Sequence, residues 1–299
     1  MPKSYIREKK ILCGAEYMAV GIYAVTDQEH RRRGKKHKES DKGQKERNKA
    51  AAMRRKQRKA LANFTKRGCF LTGTYEDAYL PEDEEACWRD VKNYARRVKD
   101  ATCKRFGVPR EKIKLMFWAV RKGEEGRLHM HGFAECVGLG EAERREWREM
   151  LEDLWRRRIP GTREFEPLGT MNADRMDMKK LLGLSGQGKN GTLGYIYGHS
   201  WRRCMETQNL TLPQEQAPSD SKWSRRQLRK GCSECAENTY WWEQHFPGWE
   251  CMKVLIYDPG DPGQLHESGS GQSGGWEATE PQAYLLLRRR GYAFAKVRT

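Results

Sequence analysis

Apolar positions along this chain repeat with two different periods, and the change of period marks the elements. "CFLTGTYEDAYL", from Cys69 to Leu80, is rich in aromatic and β-branched residues and reads as a strand ending in a turn at Pro81. In "EDEEACWRDVKNYARRVKDATCKRFG", Cys87, Val91, Tyr94, Ala95 and Val98 recur at helical spacing and Gly107 ends the run. "KIKLMFWAV", the turn "RKGEEG" and "RLHMHGFAE" then predict a β-hairpin. "EAERREWREMLEDLWRRR" predicts an amphipathic helix with Trp147, Met150, Leu151, Leu154 and Trp155 on its apolar face. A glycine-rich stretch leads into "TLGYIYGHSWRRCM", read as a further helix.

The flanks are less regular. "ILCGAEYMAVGIYAV" fits either a helix or a strand, whereas "RNKAAAMRRKQRKALANF" reads as a cationic helix. After "KWSRRQLRKG" come strand-like "KVLIYD", a Gly/Ser loop at 259–275 and a last strand, "AYLLLRRR". No internal repeat is visible. The order of elements predicts an α+β fold, a central antiparallel sheet with flanking helices. The expected divisions are an N-terminal segment at 1–29 and a basic arm at 30–67, partly helical or disordered. A main domain at 68–258 follows, with a Gly/Ser loop and C-terminal strand at 259–299 packing on it.

Composition sharpens this picture. The mean hydropathy is −0.98 and a third of the 299 residues are charged, so the core is modest for the length. No apolar run reaches the roughly 18 residues that span a bilayer. "MPKSYIREKK" lacks the apolar stretch of a secretory signal. Nine cysteines without framework spacing fit reduced thiols. A soluble cytoplasmic protein is expected. Between His30 and Arg67, 17 lysines and arginines face Glu39, Asp41 and Glu46, a local net of +14 out of +17 overall. Such a segment attracts a polyanion, most often nucleic acid. Arg54, Arg55, Lys56, Arg58 and Lys59 are the candidate phosphate contacts.

The chemistry centres on "HMHG". On a strand, His129 and His131 project from one face, where two neutral imidazoles can bind one divalent cation. An H-x-H by itself is weak evidence. With "FLTGTYED" at 70–77 before it and "LGYIYGHSWRR" after it, however, the chain resembles the HUH endonuclease superfamily, specifically the rolling-circle replication initiators of bacterial plasmids and phages. "WRDVKNYARRVKD" and "KWSRRQLRKG" extend the resemblance over roughly residues 60–260. It implies an RRM-like endonuclease domain whose histidine pair holds Mg²⁺ or Mn²⁺. It also implies a tyrosine that cuts single-stranded DNA at an origin hairpin, leaving a 5′-phosphotyrosine and a free 3′-OH. A host helicase and polymerase would be partners in a bacterial cytoplasm; no membrane is involved.

The chain departs from the pattern in two places. Where such proteins usually carry an acidic third ligand, this one has Arg121; Glu124, Glu125 and Glu135 are the substitutes, with Glu135 first because it lies on the same strand face. Tyr195 is the candidate nucleophile and Tyr197 the alternative, but the usual lysine three residues on is Gly198. His199, one helical turn beyond Tyr195, is the candidate proton shuttle, with Arg202 as the replacement cation and Arg202 and Arg203 as candidate DNA contacts. Thr72 and Thr74 are candidate DNA or metal supports, or plain strand formers, and Tyr75 is a candidate DNA contact.

Three weaker signals stand beside these. "GLSGQGKN" misses a P-loop at its last position, Asn190, and reads as a loop. Cys232, Cys235, His245 and Cys251 could hold zinc, though reduced thiols are the favoured reading. Trp241, Trp242 and Trp249 read as core, with base stacking the alternative. The rival functions are a non-catalytic nucleic-acid-binding protein, a relaxase or transposase of a mobile element, and a relative that has lost its chemistry.

Overall fold

The computed structural model describes residues 4–26, 42–121, 126–184, 191–200, 204–257 and 280–291, with Gly123. It is a mixed α+β protein whose strands pair antiparallel throughout. Contacts divide its described residues into two units: Asn63–Leu210, and those before Asn63 together with those after Leu210. This corrects the expected domain at 68–258. The segment after residue 210 belongs with the N-terminal segment because their strands share a sheet.

The 63–210 unit is built on a sheet of order β8-β3-β5-β4-β9. Its strands are β3 (Cys69–Gly73), β4 (Ile113–Val120), β5 (His129–Cys136), β8 (Met171–Arg175) and β9 (Met205–Glu206). Period-2 alternation assigns its faces. Met130, Ala134 and Cys136 of β5 point into one core with Leu71, Leu115 and Phe117. That core is covered by α2 (Glu84–Phe106) and α3 (Glu141–Asp153).

α2 starts where Asp83 accepts the Ala86 N–H at 2.7 Å and stops at Gly107, whose φ of 62° suits glycine. Its buried stripe holds every residue the periodicity predicted. The α3 helix is shorter than expected, because Arg156–Arg158 form strand β6 against β7 (Phe165–Pro167). Trp155 still enters the core and donates its indole N–H to the Thr74 carbonyl at 2.8 Å.

The opposite face carries Phe70, Trp118, His131 and Phe133; Phe133 meets Phe70 and Trp118 at 5.7 and 5.5 Å between ring centroids. A sheet covered on both faces explains why "KLMFWAV" shows no alternation.

The other unit has sheet order β10-β1-β2-β12-β11. Here "ILCGAEYMAVGIYAV" proves to be a hairpin of β1 (Ser4–Cys13) and β2 (Tyr17–Thr26), turning at Gly14 with φ 70°. β12 (Gln282–Arg289) pairs with both β2 and β11 (Trp249–Tyr257), and β10 (Gln214–Glu215) pairs with β1. One face buries Ile6, Val20, Ile22 and Leu285 against Trp223, Trp242 and Leu228, from and around α6 (Arg225–Ser233) and α7 (Thr239–Glu243). The cationic helix α1 (Lys42–Asn63) belongs mostly to this unit.

All nine cysteines are thiols. Cys232, Cys235, His245 and Cys251 gather no metal cluster among the described residues. His245 instead packs on Trp223 and Trp241, at 4.6 and 4.7 Å. Among the described residues no helix is long and apolar enough to cross a membrane.

Candidate functional site

β5 lies in the interior of its sheet, between β3 and β4, so its histidines sit on a rigid platform. Their rings lie 4.8 Å apart at 90°. His129 Nδ1 is 2.9 Å from the Arg127 carbonyl, and since a carbonyl only accepts, that nitrogen carries the hydrogen. In the neutral ring the lone pair is then on Nε2. His131 is 9 % exposed, stacks on Phe70 at 5.4 Å, and meets the Thr72 hydroxyl through Nδ1 at 3.1 Å. Burial, helped by the neighbouring His129 and opposed by a hydrogen bond at Leu71, pulls its pKa down to about 4. His131 is thus neutral at physiological pH, as a metal-ligating imidazole must be. A hydrogen-bond partner at Nδ1 is what second-shell groups commonly supply to metal-binding histidines.

α5 (Gly191–His199) brings a tyrosine to this pair. Leu193 and Ile196 anchor the helix inward. At its start, a Cβ on Gly191 would stand 2.3 Å from the Gly183 nitrogen, so only glycine allows this approach to the end of α4 (Met178–Leu182). At its end, the His199 carbonyl accepts the Arg121 N–H at 3.0 Å and Ser200 bridges to Val120, the residue paired with His129. Both ends are therefore fixed to the sheet unit. Tyr195, 38 % exposed, meets the His131 ring edge-on at 5.9 Å. The His199 ring lies 4.5 Å from that of Tyr195, and its Nδ1–H donates to the Tyr195 carbonyl at 2.8 Å, so in the neutral ring the lone pair is on Nε2.

The other candidates divide. Glu135 shares the strand face with the pair but lies four residues, roughly 13 Å, along the strand from His131. Its carboxylate accepts from the Thr65 N–H at 2.6 Å and the Thr65 hydroxyl at 3.1 Å, so it anchors the entry to β3 and is not gathered with the histidines. Among the described residues no third His, Cys, Asp or Glu completes a metal cluster with the pair. Glu124 and Glu125 lie outside the described residues, as do Arg202, Arg203 and the side chain of Tyr197. Most of "GLSGQGKN" does too.

Arg121 binds Glu84 at 3.0 Å and the Gly126 carbonyl at 3.2 Å, holding the hairpin turn. Tyr75 is a core residue rather than a DNA support: it is buried, packs edge-on to Trp155 and donates to Asp90 at 3.3 Å. Thr74 donates to the Thr170 carbonyl at 3.2 Å. Arg54, Arg55, Lys56, Arg58 and Lys59 lie on α1 in the other unit.

Sequence reasoning missed Phe70, which stacks on His131 from β3; its position two residues before Thr72 on one strand was the available signal. It also missed Gly132, paired with Phe117, where a Cβ would fall 2.0 Å from the Phe117 ring. Comparison with protein-family models, with curated proteins and with solved structures gave no match.

Proposed function

We propose that the 63–210 unit is an HUH-type, RRM-like endonuclease domain that cuts and rejoins single-stranded DNA at a replication origin through a tyrosine intermediate. One observation carries this reading: Tyr195, exposed, rests against His131 of a histidine pair whose Nδ1 atoms are both engaged. The donor chemistry fits a divalent cation held through Nε2 of His129 and His131. When bound, such an ion polarises a phosphate and favours its attack by a nucleophile.

The chain's own residues account for the rest. The Tyr195 oxygen attacks phosphorus, forming the O–P bond as the bond to the 3′-oxygen breaks. The tyrosyl proton passes to His199 Nε2, and the imidazolium so formed returns it to the departing 3′-oxygen, which leaves as a free hydroxyl. The 5′-phosphotyrosine conserves the phosphodiester, so the reverse step rejoins the strand. Thr72 and the Arg127 carbonyl orient the imidazoles, and Phe70 shields His131 from water.

A covalent-adduct assay tests this. Single-stranded DNA tiled across the element that encodes the chain is incubated with protein in Mn²⁺, Mg²⁺ or EDTA and run on a denaturing gel. A metal-dependent shifted band, lost in Tyr195→Phe and retained in Tyr197→Phe, is the expected result. Loss only in Tyr197→Phe reassigns the nucleophile.

A second reading, nucleic-acid binding without chemistry, is favoured by Arg121, which stands where an acidic ligand is usual and is committed to Glu84. It predicts tight binding and no band on any tile.

A further inference from the structure

The sheet of the other unit has a second face with a different chemistry. Directly paired residues and residues two apart share a face. The pairings Lys9↔Gly21, Gly21↔Tyr284 and Tyr257↔Gln282 therefore put Lys9, Tyr284 and Tyr257 on one side, joined by Tyr23 two residues beyond Gly21. Their neighbours Ile22, Ala283 and Leu285 point the other way, into the apolar core. Gly21 leaves the middle of this face open: a Cβ there would reach only the Tyr23 ring, at 3.7 Å.

α1 runs along the same side, with the Arg54 guanidinium 5.8 Å from the centre of the Tyr284 ring. Between helix and sheet lies a cavity of about 230 Å³, lined among others by Arg54, Arg55, Arg58, Tyr23, Tyr257 and Tyr284. The carboxylate on its wall, Glu215, is 2.9 Å from Lys9 and so is matched by a cation. A helix that packed here for stability alone would offer apolar side chains. This one offers three arginines to three tyrosines.

We propose that this pocket binds one nucleotide of single-stranded DNA, its base among the tyrosines and its flanking phosphates on Arg55 and Arg58. Every unpaired base offers a π-face that stacks on an aromatic ring regardless of sequence, and arginine supplies both phosphate contacts and cation–π attraction. Antiparallel sheets with exposed aromatics are a recurrent platform for this recognition. A concavity of this size admits a single unstacked base, whereas a duplex presents only base edges in its grooves. The site rests on the reading of single-stranded DNA as substrate. It differs from the Tyr195 site in both residues and role, since it holds the strand and cuts nothing.

The test is fluorescence anisotropy of a labelled oligodeoxythymidylate of about 12 nucleotides with the full chain. EDTA in the buffer makes the result independent of cleavage. Tyr284→Leu should weaken binding about tenfold, while Tyr284→Phe, which keeps the ring, restores it. Arg55→Ala with Arg58→Ala should reduce the slope of log affinity against log salt by about 1.4, two single-strand phosphates. Tyr23→Leu gives a second aromatic arm if Tyr284→Leu does not fold.

Unchanged affinity in both leucine variants would overturn the pocket and leave α1 as a charged surface alone. Equal affinity for a duplex, insensitive to Tyr284→Leu, would overturn it too. A parent chain that forms no adduct yet shows the tyrosine dependence would sink the nicking reading and keep this one.

Discussion

Gly132→Ala probes the histidine strand through a single methyl group. Gly132 lies directly across from Phe117, whose ring folds over the space a side chain would fill. The added Cβ would fall 2.0 Å from Phe117 Cδ1, 2.8 Å from Cε1 and 2.9 Å from the Met116 carbonyl oxygen. Relief to ordinary contact needs a ring movement of more than an ångström. Phe117 is fully buried and packs on Tyr94 at 5.6 Å, and the carbonyl cannot retreat without parting β4 from β5. Overpacking of a filled core costs about 1–3 kcal/mol, and the immobility of both neighbours puts this case at about 3. That is a large share of the ~5–15 kcal/mol that holds a domain together.

The sign is diagnostic, since strand preference alone favours alanine over glycine. Urea denaturation followed by circular dichroism measures the loss. Gly198→Ala is the control: a Cβ there meets nothing within 4 Å on the exposed side of α5, and helix propensity makes it up to ~1 kcal/mol more stable. Adding Phe117→Leu to Gly132→Ala should recover part of the loss. A Gly132→Ala cost below about 1 kcal/mol, or no recovery in the double variant, would refute the argument.

Three further outcomes follow from the same geometry. Thr72→Val removes the hydroxyl at His131 Nδ1, and Mn²⁺ affinity by calorimetry should drop about 10- to 100-fold with the fold intact. Glu135 has its pKa raised, because burial outweighs the donations from Thr65, so the native protein loses stability as pH rises above the ordinary carboxylate range. Glu135→Gln should therefore be at least as stable as the parent at pH 8, lose that advantage near pH 4, and leave Mn²⁺ affinity unchanged; a loss of affinity would return Glu135 to the ligand set. Glu8 behaves oppositely. Burial acts to raise its pKa, but Lys222, Trp223 and Lys10 together hold it below the usual range. Its contribution is present above the unfolded value near ~4.3 and fades as pH falls through the lower folded value. Glu8→Gln should cost about 3 kcal/mol at pH 7, the low end for a broken buried pair because Lys222 can turn to solvent, and the gap should close in acid.

What the sequence disclosed depended on how local the cause was. The α2 stripe, its Asp83 start and its Gly107 stop are written within one stretch, and they form as read. The histidine pair was legible for the same reason, since a period of two needs only neighbours. The first 26 residues stayed open between helix and strand because β2 is completed by β12, more than 250 positions away, and β1 by β10, about 200 away, which no window can register. Tyr75 failed differently. Its strand was correctly read, but an odd position past the strand's end turned inward onto Trp155 and Asp90, partners fixed only by tertiary packing.

Glu135 shows why sharing a face is weaker evidence than sharing a place. Alternation put it on the side of His129 and His131, and it is on that side. A strand rises about 3.3 Å per residue, however, so four residues carry a carboxylate farther than any side chain reaches back. What lies beside a residue on a sheet is set across the strands: His131 faces Thr72 on β3 and Trp118 on β4, and Glu135 faces Lys114. Any group that completes the histidine site within the sheet must come from the ends of β3 and β4 or from the helix laid over them, and that is where Tyr195 and His199 arrive.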